Sequence, residues 1–228
     1  MNTIEHTVDF HAHILPGADH GAKSTEVSKK QLKMAEAAGV EYVIATPHFY
    51  PHKDSVDDFL ARRDASYQHL LKACSGRLRP RILLGAEILM CRDIDRLPEI
   101  QKLAVEGTNI LLIELPKTDE YDFLVDIARE LMECGYELLL AHAERYPYNI
   151  VAKMSEIGVK LQLNASVFDR FLINRHIRKY LNNGWVYAIG SDIHGDDKKA
   201  YRSFIKATKK IYPASQDLNK LISEVDYE

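Results

Sequence analysis

The chain has 228 residues, 46% of them hydrophobic and 28% charged, an ordinary globular composition with enough length for one large core or two small ones. A formal net charge of −3 argues against broad electrostatic binding to nucleic acid, and no apolar run reaches membrane-spanning length. The opening Met1-Asn2-Thr3-Ile4-Glu5-His6 lacks the basic-then-apolar pattern of a secretory leader, and three scattered cysteines suit a reducing cytoplasm.

Short β-rich runs alternate with helical patterns. Thr7–Phe10 reads as a strand, and Ser24 caps a helix through Gln31, Leu32, Met34 and Ala35 that stops at Gly39. Tyr42–Ala45 follows as a strand, then a helix from about Asp57 to Ala73. Arg81–Leu84 and Ile110–Ile113 are strands, and Tyr121–Cys134 is a helix ending at Gly135. The strands Leu138–Ala141, Val159–Leu163 and Val186–Ile189 alternate with helical patterns over Ala152–Glu156, Arg175–Asn182 and Tyr201–Ile211. Most of these strands are too apolar to be half exposed, as expected of a parallel sheet covered on both faces. Seven strands in β-then-α order predict one α/β domain over residues 1–228, a small barrel. A doubly wound open sheet is the alternative, but it would carry a Gly-rich turn after an early strand, and His11 to Gly21 holds no G-x-G-x-x-G.

Cys74, Cys91 and Cys134 are each followed six positions on by Pro80, Leu97 and Leu140, so the Cys-x5-Arg loop of cysteine-dependent phosphatases is absent. Buried structural thiols are the expectation for all three. The chemistry lies instead in where imidazoles and carboxylates fall. His11 and His13 follow the first strand and His48 the second. Glu87, Glu114 and His142 follow the next three, and Asp192 and His194 follow the last. In parallel α/β folds that edge is where active sites form. His11 and His13 are two apart, so an extended segment points both to one face, and Asp192 with His194 repeats the arrangement. A single H-x-H is ambiguous. Eight ligand-type residues at strand ends of one polarity predict a polynuclear site, and imidazole with carboxylate but no thiolate suits Zn, Mn or Fe.

The segments Asp9-Phe10-His11-Ala12-His13, Ala45-Thr46-Pro47-His48, Gly85-Ala86-Glu87, Leu112-Ile113-Glu114, Ala141-His142-Ala143-Glu144-Arg145 and Gly190-Ser191-Asp192-Ile193-His194 resemble the polymerase-and-histidinol-phosphatase (PHP) superfamily. Within it, His13-Ile14-Leu15-Pro16-Gly17, Gly21-Ala22-Lys23-Ser24 and the H-x-E-R-Y stretch at 142–146 look like the bacterial tyrosine-protein phosphatases of capsule and exopolysaccharide loci, the CpsB/YwqE type. The resemblance runs over nearly the whole chain. It implies a distorted (β/α)7 barrel with three divalent metals at its C-terminal mouth, manganese first, with iron or zinc as alternatives. By the same resemblance His11, His13, Glu87 and Asp192 hold one metal. Glu87, shared, joins Glu114 and His142 on the second, and His48, His194 and the residue before Gly21 hold the third.

Two positions depart from the relatives' pattern. They usually read Asp-Asp-Gly where this chain has Asp19-His20-Gly21, so the aligned ligand is His20, with Asp19 as the alternative. They carry a second Arg after the D-x-H motif where this chain has Lys198-Lys199, and lysine lacks the planar bidentate contact of arginine. Arg145 and Lys199 are the expected phosphate-binding residues. His52 and Arg62 read as surface residues near the mouth, Glu144 as a residue that orients a ligand, and His6, His69 and His176 as non-ligands.

The expected activity is a metal-dependent phosphomonoesterase acting on a phosphotyrosine protein, the cognate tyrosine kinase of a capsule locus. Metal-bound hydroxide would attack phosphorus directly, Arg145 would clamp the phosphoryl group, and Asp192 or His194 would assist the leaving group. The alternatives are a phosphatase of a small ester such as histidinol phosphate or a sugar phosphate, and a non-catalytic partner-binding barrel. A nuclease role is disfavoured by the acidic balance.

Overall fold

The structure, a computed structural model, describes residues 7–118, 120–169 and 173–211. Its strands are β1 (Val8–Ala12), β2 (Tyr42–Ala45), β3 (His48–Phe49), β4 (Arg81–Leu84), β5 (Glu87–Leu89), β6 (Ile110–Glu114), β7 (Glu137–Leu140), β8 (Lys160–Asn164) and β9 (Val186–Gly190). The helices are α1 (Thr25–Ala37), α2 (Val56–Ala73), α3 (Asp122–Glu133), α4 (Tyr148–Glu156), α5 (Arg175–Asn182) and α6 (Ala200–Ile211), with short 3-10 turns between several elements. Every strand pairing is parallel.

The strands form two ladders, β1-β2-β4 and β3-β5-β6-β7-β8-β9. They are one barrel with two staves interrupted. Thr46-Pro47 separates β2 from β3, because Pro47 has no N–H to offer the ladder, and Gly85-Ala86 separates β4 from β5. Counting β2 with β3 and β4 with β5 leaves the seven staves expected. The barrel closes where β9 meets β1. Ala12 bridges to Ile193 in parallel, Asp192 N–H donates to His11 carbonyl at 2.8 Å, and His13 N–H donates to Ile193 carbonyl at 3.2 Å. An open doubly wound sheet is thereby excluded.

The helix ends follow local chemistry. Ser24 and Ser55 cap α1 and α2 by accepting the N–H of Val27 (3.4 Å) and Asp58 (3.1 Å), and Gly39 leaves α1 with φ +78°. Helix α4 begins at Tyr148, four residues before the predicted start, with Pro147 at its N-cap. Two hydrophobic layers flank the barrel wall. Alternate strand residues such as Val43, Ile82, Leu111, Leu138, Leu140, Leu161 and Leu163 pack against the helices. Their neighbours Phe10, Ile44, Leu83, Leu112, Leu139 and Ala188 form a separate plug inside. Full burial of each large side chain contributes about 1.5–3 kcal/mol.

Strand β1 breaks this alternation. Its register shifts between Asp9 and Ala12, so Phe10 joins the inner plug while the very next residue, His11, reaches Gln162 on β8. The bulge turns the histidine pair inward above the plug. Cys74 and Cys91 are half-buried, but Cys134 is exposed: it caps α3 at its C-terminal end, which corrects the expectation of three buried thiols. Among the described residues no helix is long and apolar enough to cross a membrane.

Candidate metal centre

The ligand-type residues lie within or just past strand ends, closer to the ladders than expected. His11 is inside β1, His48 and Glu87 open β3 and β5, and Glu114 ends β6. Polarity suggests a strand end there, but in this barrel a buried polar layer sits on top of the apolar plug, and the ladder continues through it.

Glu87 is at the centre. Its Oε2 lies 2.9 Å from His48 Nδ1, 3.2 Å from His11 Nε2 and 3.3 Å from His13 Nε2, and its Oε1 lies 2.7 Å from His142 Nε2. Glu114 stands behind it, 3.6 Å from His142 Nε2 and 3.9 Å from His48 Nδ1. On the other side Asp192 Oδ1 is 3.5 Å from His13 Nε2, 3.7 Å from His11 Nε2 and 3.4 Å from His194 Nδ1. The His13 and His194 rings stack at 4.0 Å. Donor atoms fall into three overlapping groups, each within 4.8 Å: His13, His48 and His194; His11, His13 and Asp192; and His48, Glu87 and Glu114.

These residues fit divalent cations. Glu87 Oε2, His48 Nδ1 and His194 Nε2 are buried atoms without a hydrogen-bond partner, and the first two face each other off the hydrogen-bonding geometry. An unpartnered buried carboxylate oxygen is costly, and a cation satisfies it. His142 (φ 35°) and Asp192 (φ 50°) are both in the left-handed region, where non-glycine backbone is strained, as is common at functional sites.

Electrostatics divide the acids. Burial works to raise Glu87, but the surrounding histidines hold it well below the usual carboxylate range. Burial and the charge of Glu87 together raise Glu114. Burial opposes ionisation of Asp192 too, yet the hydrogen bond from His13 and the charges of His11, His13 and Arg145 keep it ionised. Burial and the charge of His13 pull His194 down to about 4. Near neutral pH Asp192 is therefore ionised and His194 is a neutral imidazole, its Nδ1 3.0 Å from the Asp192 carbonyl.

The Asp19-His20-Gly21 turn assigns its two polar residues different places. Asp19 Oδ2 accepts from His13 Nδ1 at 2.6 Å and from the His48 N–H at 3.1 Å, while its Oδ1 accepts from Gly21 N–H at 2.8 Å. Burial would raise Asp19, but the His13 contact and these two N–H groups hold it well below the usual range. A Cβ on residue 21 would lie 2.3 Å from His13 Cβ, so only glycine lets the turn come this close. Asp19 thus orients His13 from behind. His20 is exposed at the rim, its ring 4.7 Å from both His48 (interplanar 7°) and His194.

Arg145 is half exposed beside the centre, with Nη2 2.5 Å from Asp192 Oδ2. Lys199 is exposed at the foot of α6. Its N–H donates to Asp197 Oδ1 and its carbonyl accepts from Ser203, and among the described residues nothing holds its ammonium group at the cluster. Arg62 is tied to Asp54 and the Ala18 carbonyl, and His52 lies near Tyr50. His69 and His176 sit on α2 and α5, away from the cluster, and His6 lies outside the described residues. Glu144 accepts from the Asn164 N–H at 3.2 Å, and burial raises its carboxyl to about 7.

Sequence reasoning missed four supporting side chains. Asp9 is a brace, accepting the N–H of Ser191 at 2.7 Å. Tyr146 accepts the Leu115 N–H at 3.1 Å and meets His142 Nδ1 at 3.3 Å. Gln162 reaches His11 and His142, and Asn164 reaches Asp192. The signal for the last two lies in the alternation of β8, Lys160-Leu161-Gln162-Leu163-Asn164, which puts both amides on the face opposite the two leucines.

Comparison with known proteins agrees with this layout. Residues 7–216 match the family described as capsular polysaccharide synthesis, CpsB/CapC. The tyrosine-protein phosphatase YwqE of Bacillus subtilis is 30% identical over 199 residues, covering 82% of this chain and 77% of its own. The tyrosine-protein phosphatase CpsB of Streptococcus pneumoniae is 24% identical, with 84% of each chain covered. A solved structure from a study of YwqE of Bacillus subtilis and CpsB of Streptococcus pneumoniae, described there as unique metal-dependent tyrosine phosphatases, superposes with TM-score 0.78 at 19% identity, covering 96% of this chain and 95% of its own. A histidinol phosphate phosphatase from Lactococcus lactis, solved with zinc, L-histidinol and phosphate, gives TM-score 0.58 at 16% identity, covering 92% and 94%. These two structures speak for the fold, a PHP-type barrel, and the sequence match carries the kinship: the chain belongs to the CpsB/CapC family.

Proposed function

We propose that this protein is a metal-dependent tyrosine-protein phosphatase of the CpsB/YwqE type, removing phosphate from a tyrosine kinase that governs capsule or exopolysaccharide synthesis. The observation that carries the reading is Glu87, a buried carboxylate met by four imidazoles and flanked by Asp192, beneath a half-exposed arginine. In this reading three divalent ions, manganese first, are held by His11, His13, Glu87 and Asp192; by Glu87, Glu114 and His142; and by His48, His194 and His20. When bound, such ions supply Lewis-acid charge neutralisation and a water acidic enough to act as nucleophile near neutral pH.

The chain's own residues do the rest. Asp19 and Gln162 set the ring orientations of His13 and His11. In this reading Arg145, tethered to Asp192, takes a phosphoryl oxygen, and Lys199 is the second, looser cation. Asp192 or His194 assists the leaving group, and a phenolate needs little such help. His20 and Arg145 are exposed at the rim, where a protein-borne phosphotyrosine would meet them. No cysteine belongs to the centre, so the reaction needs no thiol.

The test is parallel turnover of a phosphotyrosine peptide, histidinol phosphate and sugar phosphates, with protein stripped by chelation and then reloaded with manganese, iron or zinc. The expected result is peptide turnover that is lost on chelation, restored by metal and unchanged by thiol alkylation. Activity that survives exhaustive chelation sinks the proposal. Preferential turnover of a small ester moves it to a metabolite phosphatase.

A further inference from the structure

Strand β8 supplies no expected ligand, yet its two inward amides touch three residues that do. The key to their orientation is one backbone group. The His142 N–H can only donate, and it lies 2.7 Å from Gln162 Oε1, so the amide oxygen faces the histidines. His11 Nδ1 meets the same oxygen at 3.1 Å and must therefore carry the proton. With the oxygen so placed, Gln162 Nε2 donates to Asn164 Oδ1 at 3.0 Å. Asn164 must then present its NH2 to Asp192 Oδ2, 2.8 Å away. Gln162 is fully buried and Asn164 is 5% exposed, so water does not compete for these bonds.

We propose that Gln162 and Asn164 form a positioning relay for the metal centre, an inference that rests on the reading of that centre given above. The relay holds His11 in the tautomer whose Nε2 lone pair faces Glu87 and Asp192. It also engages Oδ2 of Asp192, leaving Oδ1 toward His11 and His13. Such partners behind a ligand orient it and tune its basicity. The barrel makes room for the relay at Gly190, where a Cβ would come within 2.7 Å of Gln162 Nε2 and 2.5 Å of His11 Cβ.

The experiment uses full-length protein stripped of metal, with manganese titrated calorimetrically and histidine ring nitrogens followed by 15N NMR. Three variants are compared with wild type. Gln162→Met keeps the volume and loses the acceptor. Gln162→Glu keeps an acceptor oxygen for His11 but loses the donor to Asn164. Asn164→Ala removes the amide from Asp192 Oδ2, which Arg145 still contacts, without touching a ligand. The expected result is a fall of about 10–100-fold in manganese affinity for Gln162→Met, Gln162→Glu and Asn164→Ala, each of which breaks the relay toward Asp192. In the same samples His11 keeps its Nδ1 proton in wild type and Gln162→Glu and exchanges between tautomers in Gln162→Met. A residue that merely fills the barrel would alter thermal stability but neither readout. Wild-type affinity together with an unchanged His11 tautomer in Gln162→Met overturns the relay. If that variant does not fold, wild-type affinity in Asn164→Ala overturns it instead. A wild-type protein that takes up no manganese, iron or zinc refutes the centre itself rather than the relay's geometry.

Discussion

At the scale of single residues, two side chains separate metal binding from phosphate binding. Asp19 meets three donors, from His13, Gly21 and His48, with two carboxylate oxygens. An amide in its place offers one oxygen, so at least one donor would face an NH2 group. Asp19→Asn is expected to weaken metal affinity by about 10–100-fold, measured as metal retained after dialysis against a buffered metal concentration. The Arg145 side chain is tied to the centre through Asp192 and lies half in solvent. Arg145→Ala should leave metal content intact while costing transition-state binding of about 1.5–3 kcal/mol, roughly 10- to 150-fold in kcat/KM for a phosphotyrosine peptide. Unchanged kinetics would remove Arg145 from the phosphate site. The ligand residues were legible because ligand chemistry is legible: imidazoles and carboxylates recur at strand ends. Tyr146 was not, because phenols are common and only its partners make it distinctive, and the amides of Gln162 and Asn164 show only as alternation along β8.

Elements were legible where capping chemistry marks their ends. Helix α5 and strands β2 and β4 fall where the pattern places them, and α1 starts after Ser24 and is followed by Gly39. The short strands β3 and β5 were missed because His48-Phe49 and Glu87-Ile88-Leu89 are too brief to show alternation, and each follows a Pro or Gly interruption. They exist because neighbouring strands pair with them, a tertiary effect. Their position is what brings His48 beside Glu87 in register. The helices contribute stability rather than chemistry, and α2 provides a measure. Ser55 accepts the Asp58 N–H and donates to the Asp58 carboxylate at 2.7 Å. Ser55→Ala is expected to destabilise the protein by about 1 kcal/mol in chemical denaturation, without change in metal affinity. A loss of metal would mean that α2 is coupled to the centre.

At the scale of the whole molecule, the metal centre is a fastener. Its groups come from β1, β3, β5 and β6 and from the segments after β1, β7 and β9, so an ion bound there ties together most of the barrel. Binding to the folded state alone stabilises it by about 2.7 kcal/mol at a metal concentration one hundred times the dissociation constant. For a domain of this size that corresponds to a rise in Tm of roughly 5–10 °C. A scanning calorimetry series with and without manganese checks this. An unchanged Tm would mean that the pocket is rigid but unligated. A small α/β barrel was accessible from the order and apolarity of the strands, and its (β/α)7 form from the family resemblance. The bulge in β1 was not, since nothing in Asp9-Phe10-His11 announces that two successive side chains turn inward.

The closure of the barrel between Ala12 and Ile193 also bears on synthesis. One wall of the centre is made within the first dozen or so residues, and the other waits for Asp192 and His194. Until that stretch leaves the ribosome, His11 and His13 have no Asp192 opposite them and β1 lacks one of its two neighbours. A nascent or truncated chain ending before residue 190 therefore holds most of the ligands but not the enclosed site. Acquisition of the full metal complement is expected to coincide with completion of the barrel, so that metal content reports whether the two ends of the fold have met.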